Sequence, residues 1–416
     1  MTHRLHRALG ENTPKQYFRG THRACDPAET LANNRRHMRP LGITRIANVT
    51  GLDRIGLPVC VSIRPNARSL STSQGKGETL EAAMVSALME SIELWHAEHI
   101  ELPLRWGARS ELARSVRTID LLQAPVRSDA SFDAARAVTW IEGQDLMDGL
   151  QRWVPLELVS INLVRQPGQS PIFLESTNGL SSGNHLAEAM THALAEVIER
   201  DAMSLWTLHS PERRKQRQVD LASVRQPALR EILDTLGRKG IVVGAWDVTS
   251  DVDVPTFSCV ILEDPDSEHW RPIPAYFGAG THLDPAIALS RATHEAIQSR
   301  LTAISGSRDD MFQADYVRAG NKEDHARIIA HLREPAPRLP FRDAHLPIGA
   351  HLQDDLRTLL DRLRDVGVTS AVAVDLTRDD IGIPVVKLVV PELEPYHTPF
   401  YRPGPRARRL QREFAA

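Results

Sequence analysis

Carboxylates recur at helical spacing in three places along the chain. In Ser86-Ala-Leu-Met-Glu-Ser-Ile-Glu93, residues Ser86, Glu90 and Glu93 share one helix face, because 100° per residue brings such positions within about 60° of one another. The opposite face carries Met84, Leu88, Ile92 and Trp95, the expected core side. In a second segment Glu188, His192, Glu196 and Glu199 make the same stripe, with Arg200 at its flank. In a third, Arg291, Glu295 and Gln298 do. A carboxylate pair at i and i+3 can hold one cation from a single helix. Two such pairs brought together repel unless a cation sits between them. Mg2+ takes a few carboxylates, keeps waters and completes its shell with phosphate oxygens. Arg200 and Arg291 would then hold the phosphates themselves. Taken singly, each stripe reads as the solvated face of an amphipathic helix, since Glu is a good helix former. Recurrence at one repeat position is what favours a site. His192 alone reads as a core or supporting residue rather than a ligand.

The elements that must position these side chains also repeat. Gly77 precedes Glu90 by 13 residues, Gly183 precedes Glu196 by 13, and Gly280 precedes Glu295 by 15. The shared pattern is Ala-x-x-Glu-x-Ile-(Glu/Gln), at spacings of 106 and 99 residues. Three β-branched runs bounded by Gly, Pro and Asp read as buried strands: Gly56-Leu-Pro-Val-Cys-Val-Ser-Ile, Val254-Pro-Thr-Phe-Ser-Cys-Val-Ile and Gly382-Ile-Pro-Val-Val-Lys-Leu-Val. The period is too long for a solenoid. It predicts an α/β fold of about three repeated α/β modules, packed as one body with their helices converging on a nucleotide site. Residues 1–40 form an N-terminal segment with a short helix, capped by Asp26 with Pro27 at its first position. The main domain is expected over 41–395, with a surface linker at 335–349 around Pro335, Pro337, Pro340 and Pro347. Residues 396–416 make a Pro/Arg-rich tail (Arg402, Arg406, Arg408, Arg409 and Arg412), expected to be mobile or bound to a partner.

Composition narrows the function classes. The 416 residues are 42% hydrophobic and 25% charged, which excludes disorder as the main state. A net charge of −3 supplies no global field for nucleic acid or an anionic membrane. Only six of the 50 basic residues are Lys, a bias that fits codon usage in a GC-rich genome. Cys25, Cys60 and Cys259 are far apart, with no C-x-x-C, so neither a zinc site nor a disulfide framework is expected. With no secretory signal and no long apolar run, the chain reads as soluble and cytoplasmic. No G-x-x-x-x-G-K-[ST], third dinucleotide glycine, H-E-x-x-H or G-x-S-x-G occurs. A nucleotide site here is built from helix faces, not from a phosphate loop.

Three segments in this order resemble the YcaO family. They are Gly75-Lys76-Gly77…Ser86-x-x-x-Glu90-x-x-Glu93, Gly183-Asn184-x-x-x-Glu188…Glu196-x-x-Glu199-Arg200, and Arg291-Ala-x-x-Glu295-Ala-x-Gln298-x-Arg300. The likeness runs from about residue 20 to about 395. Gly20-Thr-His-Arg23…Thr30-Leu31 and Thr50-Gly-Leu-Asp-Arg-Ile-Gly-Leu-Pro58 resemble the branch found beside TfuA-like proteins. The resemblance implies a YcaO-like fold and an ATP-dependent enzyme that activates a peptide backbone amide. In the family a nucleophile adds to the carbonyl carbon, ATP phosphorylates the oxygen, and phosphate leaves. A neighbouring Cys, Ser or Thr gives an azoline; sulfide or a sulfur donor gives a thioamide.

Carried over by position, the resemblance implies that Glu90, Glu93, Glu196 and Glu199 hold Mg2+. It places Ser86, Asn184, Glu188, Arg200 and Arg291 at the nucleotide, with Arg23 and Thr30 from the N-terminal segment. Glu196, Glu199 and Arg200 are the expected catalytic group. Arg291, Gln298 and Arg300 match a stretch common in the family. Two departures stand out. Azoline-forming members often end in a Pro-rich tail that reaches the active site, whereas here Pro403-Gly-Pro405 is followed by eleven further residues. The stretch before the first repeat is too short for a leader-capturing module, which a separate partner must supply. The expected partners are a peptide or protein substrate, a TfuA-like protein and a sulfur donor, with no nucleic acid and no membrane; a homodimer is left open. The alternative is a nucleotide-binding accessory factor of a ribosomal-protein methylthiotransferase. A non-catalytic scaffold is disfavoured, because it need not keep a repelling cluster of four Glu.

Overall fold

Three antiparallel sheets each end in a strand that runs directly into one of the three long helices. The structure, a computed structural model, describes residues 2–131, 133–164, 171–268, 270–308, 310–313, 316, 322–334, 338–342, 346–395 and 401–415. The chain opens with α1 (Thr2–Gly10), β1 (Gln16–Phe18), β2 (Thr21–Arg23), α2 (Pro27–Asn34), β3 (Arg45–Asn48), β4 (Val59–Ile63), β5 (Thr72–Lys76) and α3 (Leu80–Glu98). Next come β6 (Leu104–Ala108), α4 (Arg109–Leu112), β7 (Ala137–Asp145), β8 (Gln151–Pro155), β9 (Leu180–Ser182) and α5 (Leu186–Trp206). They are followed by α6 (Pro211–Gln216), β10 (Val219–Asp220), α7 (Pro227–Arg238), β11 (Ile241–Asp247), β12 (Thr256–Glu263), β13 (Tyr276–Thr281) and α8 (Pro285–Ser305). The last stretch holds α9 (Lys322–Arg333), β14 (Leu339–Pro340), α10 (Leu352–Asp365), β15 (Val372–Asp375), β16 (Val385–Val389) and α11 (Pro405–Ala415).

One sheet is β3-β4-β5, and β5 leads into α3. Another is β11-β12-β13, and β13 leads into α8. The third contains β15-β16-β9, and β9 leads into α5. In this third sheet β7 joins β15 and carries β6 and β8. The middle strand of each trio is one of the Pro-led runs: β4 after Pro58, β12 after Pro255 and β16 after Pro384. All of β12 and β16 and most of β4 are buried, as β-branched strands covered on both faces should be. Sequence order does not follow this grouping. The run at Gly382 lies beyond α8 in the chain, yet β16 pairs with the strand before α5, Val385 opposite Ser182 and Lys387 opposite Leu180.

Each long helix lies on the last two strands of its own trio and also touches the last strand of the next: α3 meets β9, α5 meets β13 and α8 meets β5. These three contacts close a ring of helices around one space. Small residues permit the close approach. A Cβ at Gly75 would lie 2.1 Å from the Ala87 nitrogen, and one at Gly280 2.1 Å from the Ala288 carbonyl oxygen. Ala83, Ala87, Ala288 and Ala292 on the helices are fully buried against them. Behind the ring each helix has its own core. Leu88 and Ile92 of α3 pack with Ile141, Val154 and Val374. Met190, Leu194 and Ile198 of α5 pack with Leu356, Leu359 and Leu363 of α10. Leu289, Ile297 and Leu301 of α8 pack with Leu229, Ile232 and Leu236 of α7.

Helix starts follow their caps. Asp26 accepts from the Ala28 nitrogen at 2.7 Å, Thr79 from Ala82 at 3.1 Å and Asp284 from Ala286 at 2.8 Å. Of the expected linker, 335–337 and 343–345 lie outside the described residues. Between them β14 pairs in parallel with β10, and Phe341 is buried. The basic tail differs from the expectation of a mobile segment: it forms α11, anchored by Arg406. The Arg406 Nε and Nη2 donate to the two carboxylate oxygens of Asp201, each at 2.9 Å. Asp201 is fully buried on α5 and needs such a cation, which is why the tail docks there. Residues 396–400, at the start of that tail, lie outside the described residues. Among the described residues no helix is long and apolar enough to cross a membrane.

Candidate active site

The ring of helices encloses a cavity of about 1080 Å³. Its wall holds Ser86, Glu90 and Glu93 of α3, and Glu188, His192, Glu196, Glu199 and Arg200 of α5. Arg291, Glu295 and Gln298 come from α8, Asn184 from the turn before α5, and Arg23 and Thr30 from β2 and α2. Every side chain the sequence marks as a metal, nucleotide or catalytic residue therefore lines one space. Arg300 does not. It is fully buried behind α8, with Nε 3.0 Å from Asp53 Oδ2 and Nη2 2.6 Å from Glu263 Oε1, where it ties the loop before β4 to β12.

Local structure fixes the polar groups. Thr30 Oγ1 donates to Asn184 Oδ1 at 3.0 Å, joining α2 to the start of α5. Glu188 is buried and accepts from the Ala24 nitrogen at 3.0 Å, while Arg23 Nη1 stands 3.5 Å from its other oxygen. His192 contacts Arg23 through Nε2 and lies 3.4 Å from Arg291 through Nδ1, so it spaces two guanidinium groups. Burial between these cations holds its pKa well below the usual imidazole value.

The carboxylates carry the electrostatic burden. Glu93 accepts from the nitrogen and the hydroxyl of Ser182, each at 2.7 Å, and Glu90 accepts from the Gln74 nitrogen at 3.1 Å. Burial pushes Glu90 up to about 7, opposed first by Lys76, and Glu93 up to about 8, opposed by Ser182. Burial also raises Glu196 and Glu199, although Arg200 lies 3.8 Å from one and 3.9 Å from the other. Glu199 is buried and Glu90, Glu93 and Glu196 are half-buried in the cavity wall, with less positive charge around them than they need, a donor set that a divalent cation fits. Among the described residues no three His, Cys, Asp or Glu side chains close into a metal cluster by themselves.

Several residues escape a reading by helical stripes because strands and turns supply them. Ser182, at the end of β9, carries no sequence signal. Lys76 ends β5, with Nζ 2.8 Å from Gln298 Oε1 and 3.7 Å from Glu295 Oε2; its place in Gly75-Lys76-Gly77 is the available signal. Lys387 sits in the middle of an apolar strand, fully buried, and donates to the Ser176 carbonyl behind Glu196. Burial lowers its pKa and the Glu196 charge opposes this. One charged residue in a β-branched run was its signal.

A cavity walled by three helices, with paired carboxylates and arginines on its wall and no phosphate-loop motif in the sequence, defines the class of this α/β protein. The chain belongs to the YcaO cyclodehydratase family, an ATP- and Mg2+-binding family whose profile matches residues 74–394. It is 36% identical over 377 residues to an uncharacterized protein in the tfuA 3′ region of Rhizobium leguminosarum bv. trifolii, covering 89% of this chain and 88% of that one. The structure of YcaO from Methanopyrus kandleri bound with AMPPCP and Mg2+ matches with a TM-score of 0.72 at 26% identity, over 92% of this chain and 95% of that one. A heterocyclase in complex with substrate and cofactor matches in fold, with a TM-score of 0.76 at 23% identity over 95% of this chain. The chain spans 56% of that heterocyclase.

Proposed function

We propose that this chain is an ATP-dependent enzyme that phosphorylates the oxygen of a peptide backbone amide, and that its product is a thioamide. The observation that carries amide activation is the convergence of Glu90, Glu93, Glu196 and Glu199 with Arg200 and Arg291 in one cavity of a YcaO family member. The relationship to the protein from the tfuA 3′ region supports sulfur over ring closure. Mg2+ and ATP, when bound, supply the phosphoryl group and the positive charge that gathers around it. Glu90 and Glu93 from α3, with Glu196 and Glu199 from α5, hold the cations. Ser86, Asn184 and Thr30 orient the nucleotide by hydrogen bonds, and Glu188 fixes Arg23 toward it. Arg200 and Arg291 meet phosphate charge. Glu196, Glu199 and Arg200 form the catalytic group, held in place by the helices that carry them.

The substrate in this reading is a ribosomally made peptide or protein. A TfuA-like partner and a sulfide source complete the system in the cytoplasm, with residues 41–395 as the catalytic domain. The enzyme is incubated with the peptide encoded beside it, ATP, Mg2+, sulfide and the TfuA-like protein. An amide oxygen leaves only once phosphorylated, and its exchange for sulfur adds about 16 Da, whereas ring closure removes about 18 Da. A gain is expected. Loss of water without sulfide would replace the thioamide by an azoline. No change of mass, with ATP binding intact, would favour the accessory role.

A further inference from the structure

Lys76 and Gln298 line the cavity, yet neither is among the side chains assigned to metal or nucleotide. Lys76 ends β5, and its side chain is 27% exposed. Its Nζ donates to Gln298 Oε1 at 2.8 Å and stands 3.7 Å from Glu295 Oε2, beyond hydrogen-bond reach. An ammonium group carries three N–H bonds and can only donate, so Gln298 turns its oxygen to Lys76 and keeps Nε2 as a donor. Nε2 has no partner among the described residues, and the half-buried side chain leaves it in contact with solvent. Lys387 shows the opposite arrangement, a fully buried ammonium on the Ser176 carbonyl with no place on the wall of this cavity. The two polar atoms of an amide group are about 2.3 Å apart, so Lys76 Nζ and Gln298 Nε2 lie within about 5 Å of each other. One oxygen placed about 2.9 Å from each can accept from both.

Position also separates these donors from the nucleotide side. Asn184, Glu188 and His192 follow one another toward and along α5, and His192 meets Arg291 of α8 at 3.4 Å. Farther along both helices the Glu295 charge acts on Glu199. Helix α8 therefore crosses the cavity in the same sense as α5, and Gln298, seven residues past Arg291, stands about 10 Å beyond it. Lys76 is the leading positive charge beside Glu90. The two donors thus flank the carboxylates on the side away from Thr30 and Asn184, where a γ-phosphate held by those carboxylates would face a second reactant.

We propose that Lys76 and Gln298 are catalytic donors that together receive the carbonyl oxygen of the substrate amide and hold the negative charge it gains before phosphorylation. The proposal rests on the amide-activation reading. In that chemistry hydrosulfide bonds to the amide carbon while the carbonyl π pair moves onto oxygen. Lys76 Nζ and Gln298 Nε2 donate to that oxygen, which then bonds to the γ-phosphorus as ADP leaves. The carbon–oxygen bond breaks and phosphate departs with the pair. The S–H electrons form the C=S bond, and the S–H proton goes to the released phosphate. No oxidant or reductant is required, and the amide N–H is kept. Attack by a side chain would put the same charge on the same oxygen, so the donors serve either nucleophile. Fixed donors aimed at a developing oxyanion need no reorganisation at the moment of reaction.

Two measurements test this. With only six lysines in the chain, methylation by formaldehyde and borane is readily mapped by mass spectrometry. With Mg2+ and a non-hydrolysable ATP analogue bound, Lys76 is expected to remain reactive. Adding the precursor peptide and the TfuA-like protein is expected to slow its labelling about tenfold at peptide near ten times its Kd, with exposed Lys239 as the reference. Protection by the nucleotide alone, or none by the peptide, overturns the proposal. The second measurement is kinetic. Lys76→Met keeps the stem and removes the ammonium; Gln298→Met keeps the length and removes the N–H. With the precursor peptide, the TfuA-like protein, ATP, Mg2+ and sulfide, the saturated rate of mass change is expected to fall about 100-fold or more in Lys76→Met and about tenfold or more in Gln298→Met. The thermal shift of each variant with ATP and Mg2+ is expected to equal or exceed that of the wild type, since fold and nucleotide site persist. A wild-type rate in either variant, or loss of that shift, overturns the proposal. Failure of the amide-activation reading looks different, since the wild type itself then changes the peptide mass in neither direction.

Discussion

Removing the charge of Glu93 is expected to stabilise the metal-free protein and to weaken its response to Mg2+ with ATP. Glu93→Gln keeps an accepting oxygen for the Ser182 nitrogen and hydroxyl, both 2.7 Å away. What changes is the charge. Burial first, then Glu90 and Glu196, hold the wild-type carboxyl up at about 8 against an ordinary 4.5. A carboxyl whose folded value is raised binds its proton more tightly in the native state. Stability therefore falls as pH rises from about 4.5 to about 8, with a slope near 1.4 kcal/mol per pH unit at most. The full window would amount to about 5 kcal/mol; residual solvent contact reduces this to about 2–3 kcal/mol. A chain of this length has an unfolding entropy near 0.9 kcal/mol per kelvin, so the shift in Tm is about 3 °C. The assay is calorimetry of both proteins in EDTA at about pH 5 and about pH 8.5. The variant should match the wild type at the lower pH and melt about 3 °C higher at the upper. Adding Mg2+ and ATP should favour the wild type. Equal differences at both pH values would refute the reasoning, because a packing effect does not titrate.

Glu199→Gln should remain folded yet lose most of the extra stabilisation that ATP gives with Mg2+ over ATP with EDTA; an equal shift removes Glu199 from the site. Arg406→Ala leaves Asp201 buried without its guanidinium and should cost about 3–5 kcal/mol in denaturant unfolding, with part recovered in Arg406→Ala/Asp201→Asn. A cost under about 1 kcal/mol would mean that α11 is not docked on α5. Gly280→Ala drives a Cβ to 2.1 Å from the Ala288 carbonyl oxygen and should cost at least about 2 kcal/mol. A neutral result would show that the helix does not rest directly on β13.

The helix stripes were legible because helical geometry alone puts Glu90 beside Glu93 and Glu196 beside Glu199. The Pro-led strands were legible for a related reason: a β-branched run between Gly and Asp has few other uses. What the one-dimensional pattern does not carry is pairing between distant segments. Nothing local in Gly382-Ile-Pro-Val-Val assigns β16 to the sheet before α5, since strand partners are chosen by non-local contacts. The tail shows the same limit. Its arginines read as a mobile or partner-bound tail until Asp201, about 200 residues earlier, proves to be buried and in need of a cation. Backbone donors such as the Ser182 nitrogen are invisible for a different reason: every residue has one, and only the fold decides which is aimed at Glu93.

The division of labour among the three helices also explains how a repelling site survives folding. Glu90 and Glu93 depend on the core behind α3, while Glu196 and Glu199 depend on the separate core that α5 shares with α10. No single helix–sheet unit buries all four carboxylates, so each unit bears only part of the desolvation cost. Repulsion within each pair is already present on its helix; repulsion between the helices is added when the units close the ring, α3 on β9, α5 on β13 and α8 on β5. Lys76 and Lys387 arrive on strands and Arg200 on α5: Lys76 offsets Glu90, Arg200 and Lys387 offset Glu196, and Arg200 offsets Glu199. They leave the carboxyl groups raised rather than neutralised. Had the fold supplied full compensation, a cation would gain little by entering. In the proposed reading, partial compensation keeps the metal-free ring stable while leaving free energy for Mg2+ and phosphate to recover on binding, and the contrast between Glu93→Gln with and without Mg2+ measures that difference.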